Sequence, residues 1–337
     1  MKTAEAVMPG HPDKVADQIS DAILDEYLRR DPYARVAVET MGGHGKLYIC
    51  GEVTAKGKPL YKNEIVEIAR RVYARIGYKD RLKIQVNIVN QSPDISQGVE
   101  IGGAGDQGIM VGYACNENEQ MIPQELYLAR KLIMRIYEDG IFGPDGKCQV
   151  TLTEDNQIDT VVLSVQTHDV TDIKKGFVEK FLGQSVKNYH FNPTGKFEIG
   201  GFAADTGLTG RKLAVDNYGP QIPVGGGAFS GKDPSKVDRS AAYMARRVAI
   251  DALRFMEAEN VTVKLAYSIG VAKPVMAMVD INGKEQEDTE KKAKWLMAKH
   301  YDFTPEGIIR QLDLRKPIYE ITAREGHFGN EIFSWEK

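Results

Sequence analysis

The apolar positions of the chain change period along its length, and the changes mark its elements. From Pro12 onward, Val15, Ile19, Ala22, Ile23 and Tyr27 recur in steps of three and four, as on one helical face. Pro12 suits a first helical position, and Asp31-Pro32 ends the run. Residues 35–40 and 47–53 read as strands joined through Gly42-Gly43-His44-Gly45. Residues 61–76 predict a second helix stopped by Gly77, and 82–89 a third strand. The same order then recurs: a helix over 123–137, a hairpin of 147–153 and 157–166 around Glu154-Asp155-Asn156, a helix over 172–182 and a short strand at 196–199. A third round has a helix over 239–258, strands at 261–269 and 273–281, and helices near 288–299 and 304–312.

The leading helices of the three rounds are spaced by about 110 residues, the size of one small domain. The pattern predicts an α+β fold of three structurally similar units, each a sheet covered by helices on one face. As contiguous pieces these are residues 1–100, 101–220 and 221–337. No low-complexity linker separates them, so intimate packing is expected.

Composition narrows the classes. The 337 residues are 42% hydrophobic and 27% charged, as in a water-soluble globular protein. A net charge of −3 gives no general attraction to nucleic acid or anionic membrane, so any cationic site must be local. Cys50, Cys115 and Cys148 are scattered and read as reduced thiols, not as a disulfide framework or zinc site. With no apolar run suited to a signal peptide or a membrane span, a cytoplasmic protein is expected.

Candidate chemistry sits in glycine-rich connections. Gly225, Gly226 and Gly227 bare the backbone ahead of Lys232, Lys236 and Asp238, just before a strong helix. Backbone donors, cations and a helix N-terminus suit a polyphosphate. The stretch is not a Walker A loop, because Asp233 stands where Ser or Thr should hold magnesium. Gly10-His11-Pro12-Asp13-Lys14 reads either as ordinary helix capping or as a metal carboxylate beside a phosphate-facing lysine and a polarising imidazole. Gly102 to Gly108 carries one acid, Asp106, and reads as a mobile turn or a ligand-contacting lid. Asp145, Lys147, Lys196 and Phe197 sit at strand entries, and Asp205 and Arg211-Lys212 bracket Gly207-Leu208-Thr209-Gly210. His44, His168, His190, His300 and His327 show no ligand spacing, and no nucleophile elbow appears. Cations with isolated acids among glycines suit the departure of a polyphosphate better than general-base hydrolysis.

Three stretches carry a family resemblance. Gly10-His11-Pro12-Asp13-Lys14, Gly103-Ala104-Gly105-Asp106-Gln107-Gly108 and Gly225 to Asp233 together resemble S-adenosylmethionine synthetase (methionine adenosyltransferase). The likeness continues through Asp94, Asn192-Pro193-Thr194-Gly195, residues 207–212 and Gly326-His327-Phe328-Gly329, in order along the chain. It implies three interlaced domains in pseudo-threefold arrangement. It also implies a homodimer or homotetramer with sites shared between subunits, and substrates ATP and L-methionine. The reaction would be sulfur attack on ribose C5′, then hydrolysis of tripolyphosphate to pyrophosphate and phosphate. A thioether sulfur carries no proton, so alignment and leaving-group stabilisation would dominate the barrier.

Carried over residue by residue, His11 would polarise the leaving oxygen, and Asp13 and Asp238 would hold magnesium, two ions per site. Glu39 would hold potassium. Lys147, Lys196, Arg211, Lys212 and Lys232 would face the phosphates; Phe197 would stack near adenine, with Asp145 and Ala228 lining the nucleotide. Asp205 would contact both substrates, and Glu52, Gln91 and Lys236 would take methionine; Asp106 would be an active-site acid. Three departures stand out: Lys196 where many relatives have arginine, an end at Trp335-Glu336-Lys337, and a gating segment at 97–102 shorter than in most relatives. A different phosphoryl-transfer enzyme and a non-catalytic nucleotide-binding subunit are the alternatives.

Overall fold

The computed structural model describes residues 1–57, 59–91, 103–167, 173–282, 298 and 300–337. The gating segment, Asp94, His168 and the expected helix near 288–299 (apart from residue 298) lie outside the described residues.

The first elements are β1 (Lys2–Val7), α1 (Pro12–Arg30), β2 (Arg35–Gly43), β3 (Lys46–Thr54), α2 (Lys62–Ile76) and β4 (Lys83–Val89). His44 and Gly45, both at positive φ, close the two-residue β2–β3 turn, which matches the strand twist. Next come β5 (Gly108–Cys115), α3 (Gln124–Glu138), β6 (Gly146–Leu152), β7 (Ile158–Val165), α4 (Lys175–Leu182) and β8 (Asn188–Phe191). The last are β9 (Gly207–Leu208), α5 (Leu213–Asp216), α6 (Val237–Met256), β10 (Asn260–Tyr267), β11 (Met276–Ile281), α7 (Pro305–Leu312) and α8 (Tyr319–Glu325).

The strands form three sheets, ordered β1-β6-β7-β8, β11-β10-β5 and β4-β3-β2-β9. Each sheet borrows a strand from a distant part of the chain. β1 pairs antiparallel with β6, from Lys2 opposite Leu152 to Val7 opposite Lys147. β5 pairs with β10, and the two-residue β9 pairs with the end of β2. The fold is therefore α+β, with three helix-backed sheets that interlace through β1, β5 and β9.

All three of these borrowed strands, β1, β5 and β9, are absent from the sequence pattern, which also places a strand at 196–199 where there is none. The strand of that region is β8, parallel to β7. β5 carries Gly112, whose missing Cβ would lie 2.0 Å from the Ala245 carbonyl carbon, so α6 rests directly on the strand. α1 runs through the middle of the molecule. Val15, Ile19, Ile23 and Leu24 on it are all fully buried, and so are Asp13, Lys14, Asp17, Asp21 and Asp25. A buried helix with that many charges requires partners for each of them.

Candidate active site

The entry to α1 is built first. His11 is the N-cap, and its Nδ1 accepts the backbone N–H of Asp13 at 3.2 Å. That bond leaves the imidazole proton on Nε2, so His11 presents a donor. Burial, with Lys212 and Lys147 nearby, pushes its pKa down to about 3, so the ring is neutral near pH 7. The loop before it is tight: Gly10 N–H donates to the Pro144 carbonyl, and a Cβ on Gly10 would lie 2.3 Å from that oxygen. This contact, with Val7 opposite Lys147, sets His11 beside the start of β6.

Asp13 is the hub. Its Oδ1 accepts from Arg211 Nε at 2.8 Å and from the Leu208 N–H at 3.0 Å, and Oδ2 accepts from Lys212 Nζ at 2.6 Å. Burial opposes its ionisation, but these donors outweigh it and hold the carboxyl below the usual range. His11, Asp13, Lys147, Arg211 and Lys212 thus form one cationic cluster at the positive end of a 19-residue helix. Asp145 borders it, buried and bonded to the Gly201 N–H at 2.8 Å, its pKa pushed up to about 6 by burial. Exposed Asp205 donates its own N–H to the Gly201 carbonyl. The Phe197 carbonyl accepts from Thr167, and Lys196 extends into solvent beside Glu198 at 3.1 Å.

Lys14 does not face this cluster. It is buried, with Nζ 2.5 Å from Asp216 and 3.4 Å from Asp17, and ties α1 to α5. The phosphate-facing reading of Lys14 is therefore corrected: its charge is already matched inside the protein.

A second cluster surrounds the glycine loop. Lys232 Nζ meets Asp238 Oδ2 at 2.6 Å, and Lys236 pairs with Asp233. A Cβ on Gly227 would lie 2.2 Å from Asp238 Oδ1, so glycine keeps that oxygen open to the loop. Gly108, at the start of β5, borders the same oxygen, and exposed Asp106 lies two residues earlier. Ala228 abuts Gly210, one residue from Arg211, which makes the two clusters neighbours. Lys232 also bridges to Ala37 at the edge of β2, and Ala37 pairs with Glu52, which pairs with Val89. Glu39 pairs with Cys50 one step along the same face. Gln91 follows that row, with Oε1 buried and without a hydrogen-bond partner among the described residues. Glu39, Glu52 and Gln91 thus border the second cluster and are not joined to His11.

The donor set fits a hard cation. Asp13 and Asp238 each supply carboxylate oxygen beside phosphate-seeking cations, and magnesium uses one or two carboxylates plus substrate phosphates. Among the described residues no group of three His, Cys, Asp or Glu side chains forms a protein cage for metal.

What the sequence reading missed is the rest of the acidic row on α1. Asp13, Asp17, Asp21 and Asp25 recur every four residues on one face, and together they take backbone N–H groups from three segments, 208–210, 231 and 319–320. Asp17 accepts from Gly210 at 2.8 Å, Asp21 from Gly231 at 2.7 Å, and Asp25 from Tyr319 and Glu320 at 3.0 and 2.9 Å. The spacing of four was the available signal.

Comparison with known proteins gives one family throughout. Residues 1–97 match the N-terminal domain of S-adenosylmethionine synthetase, 101–197 the central domain and 199–337 the C-terminal domain. The chain is 45% identical to the S-adenosylmethionine synthase of Sulfurovum sp. (strain NBC37-1) over 374 residues, covering 99% of this chain and 95% of that one. It is 46% identical to that of Helicobacter hepaticus over 371 residues, at the same coverage. These alignments are longer than the chain itself, so the relatives carry residues that it lacks. With its three domains matched in order and its glycine loops gathered about α1, the chain belongs to the S-adenosylmethionine synthetase family.

Proposed function

We propose that this protein forms S-adenosylmethionine from ATP and L-methionine, with tripolyphosphate leaving C5′ and then being hydrolysed to pyrophosphate and phosphate. The observation that carries this reading is the cluster of Arg211, Lys212 and neutral His11 about Asp13, set at a helix N-terminus. It offers positive charge and an Nε2–H donor but no activated nucleophile, and a thioether attack needs none. His11 Nε2–H donates to the oxygen that leaves C5′. Lys147, Arg211, Lys212 and Lys232 take the phosphates, with Lys196 at the rim. Asp145, Phe197 and Ala228 line the adenosine. Glu52, Gln91, Asp205 and Lys236 hold methionine; the Gln91 oxygen, buried and unpartnered among the described residues, supports a ligand there. Asp106 closes the phosphate side.

The family is metal-dependent. Asp13 and Asp238 would hold magnesium, two ions per site, and Glu39 would hold potassium; magnesium held there would supply positive charge against the leaving phosphates.

The functional unit is a homodimer or a dimer of dimers, with the His11 side of each site from one subunit and the Lys232 side from its partner. The exposed face of β2, β3 and β4, bearing Met41, Tyr48 and Val89, supports such a contact. No helix among the described residues is long and apolar enough to cross a membrane. The free thiols of Cys50, Cys115 and Cys148 support a cytoplasmic setting. Product analysis tests the reading: ATP, magnesium and methionine should yield S-adenosylmethionine, whereas ADP would mark a phosphotransferase, and no turnover a binding subunit.

A further inference from the structure

The side chain of Arg239, in the first turn of α6, is fully buried. Its guanidinium forks onto Asp21, NH1 to Oδ1 at 2.7 Å and NH2 to Oδ2 at 2.8 Å. NH1 also donates to the carbonyls of Phe229 and Lys232, at 3.0 and 3.1 Å. Asp21 in turn accepts the Gly231 N–H at 2.7 Å. Between them, two buried side chains therefore hold three backbone groups of residues 229–232.

The loop is fixed on its other side too. The Gly231 carbonyl accepts from Val38 N–H at 3.0 Å. Gly231 has φ 81°, and a Cβ there would lie 1.8 Å from the Val38 oxygen, so no other residue fits. On this backbone, pinned from both sides, the Lys232 Nζ donates to Asp238. Around Arg239, Nε donates to Tyr243, NH2 to Thr322, and the Tyr319 ring stacks 4.2 Å away. Burying an ion pair this deeply gains little stability over a well-packed apolar pair, so its use lies in fixing geometry.

We propose that Asp21 and Arg239 are positioning residues for the reaction, holding residues 229–232 so that Lys232 is aimed at the polyphosphate. This rests on the reading of Lys232 as a phosphate-facing lysine. Arginine is required because lysine offers a point charge and not a fork: it would still neutralise Asp21 but release the two carbonyls.

The test is a double-mutant cycle in the full-length enzyme, with tripolyphosphate hydrolysis and S-adenosylmethionine formation both measured. Arg239→Lys should lower kcat roughly ten- to a hundredfold, the scale of one charge-assisted contact, with KM for methionine nearly unchanged. In a Lys232→Met background the same substitution should have little further effect, because there is no lysine left to aim. Equal losses in both backgrounds would overturn the proposal while leaving the reaction assignment standing. Near-normal activity of Lys232→Met alone would instead sink the reading of Lys232. Should Arg239→Lys fail to fold, amide exchange in the unaltered enzyme decides: Gly231 should be protected like the interior of α1, and exchange at open-loop rates contradicts the clamp.

Discussion

Asp13 and Asp238 are each held by cations of their own chain, Arg211 and Lys212 on Asp13 and Lys232 on Asp238. A metal at either carboxylate would free those cations for phosphate, so the two binding events support one another. Asp13→Asn and Asp238→Asn should each lower turnover by at least a hundredfold, the effect of losing a charged ligand, with the fold retained. Assays at limiting magnesium check this, and near-normal activity of either variant would remove it from the metal assignment. Lys196 is a simpler case, because its side chain is 76% exposed and, among the described residues, it pairs with Glu198. Lys196→Arg should keep activity, and Lys196→Met should lose roughly ten- to a hundredfold in tripolyphosphate hydrolysis. An unchanged rate for the methionine variant would place this side chain away from the phosphates.

At the scale of elements, α1 organises the molecule through its four aspartates. Asp25 is the rung farthest from the site, where it caps α8 through the Tyr319 and Glu320 amides. Burial pushes its pKa up to about 7, against those two hydrogen bonds. The unfolded chain ionises it near the ordinary carboxylate value, so between about pH 4 and 7 the folded state binds the extra proton. Its contribution to stability is therefore intact at pH 4 and is lost as pH rises through 7. Asp25→Asn does not titrate, so wild type should lose its advantage over the variant between pH 5 and pH 8. Denaturant titrations at both values check this, and a gap that widens with pH contradicts it.

Much of this element-level structure was legible. The period of α1, α2 and α6 and the β2–β3 and β6–β7 hairpins follow from local spacing and turn residues. β1 and β5 were not, because a short strand made stable by a partner more than a hundred residues away leaves little local pattern. The site divides the same way. The glycine loops and their cations stand out as residue types, while Lys14 looks identical to them in sequence and differs only in being buried against Asp216 and Asp17. Arg239 and Asp21 were hidden because a buried tie has no motif, only a partner.

At the scale of the whole molecule, the two charge clusters are neighbours joined through Gly210 and Ala228, and Glu39 and Glu52 lie on the outer face of the sheet, with Gln91 just beyond β4. If each site takes one cluster from each of two subunits, variants inactive for different reasons should complement. Mixing Asp13→Asn with Lys232→Met, with subunit exchange, should restore about a quarter of wild-type activity, since half the dimers are hybrid and each hybrid has one intact site. No recovery despite proven exchange would place both residues in one subunit's site.

The central claim is that sulfur displaces an intact tripolyphosphate from C5′, with phosphate chemistry following. A single-turnover quench with excess enzyme, γ-labelled ATP, magnesium and methionine reads this directly. Bound tripolyphosphate should appear in step with S-adenosylmethionine and then decay to pyrophosphate and phosphate. Labelled phosphate released ahead of S-adenosylmethionine, or ADP at any time, would contradict the account.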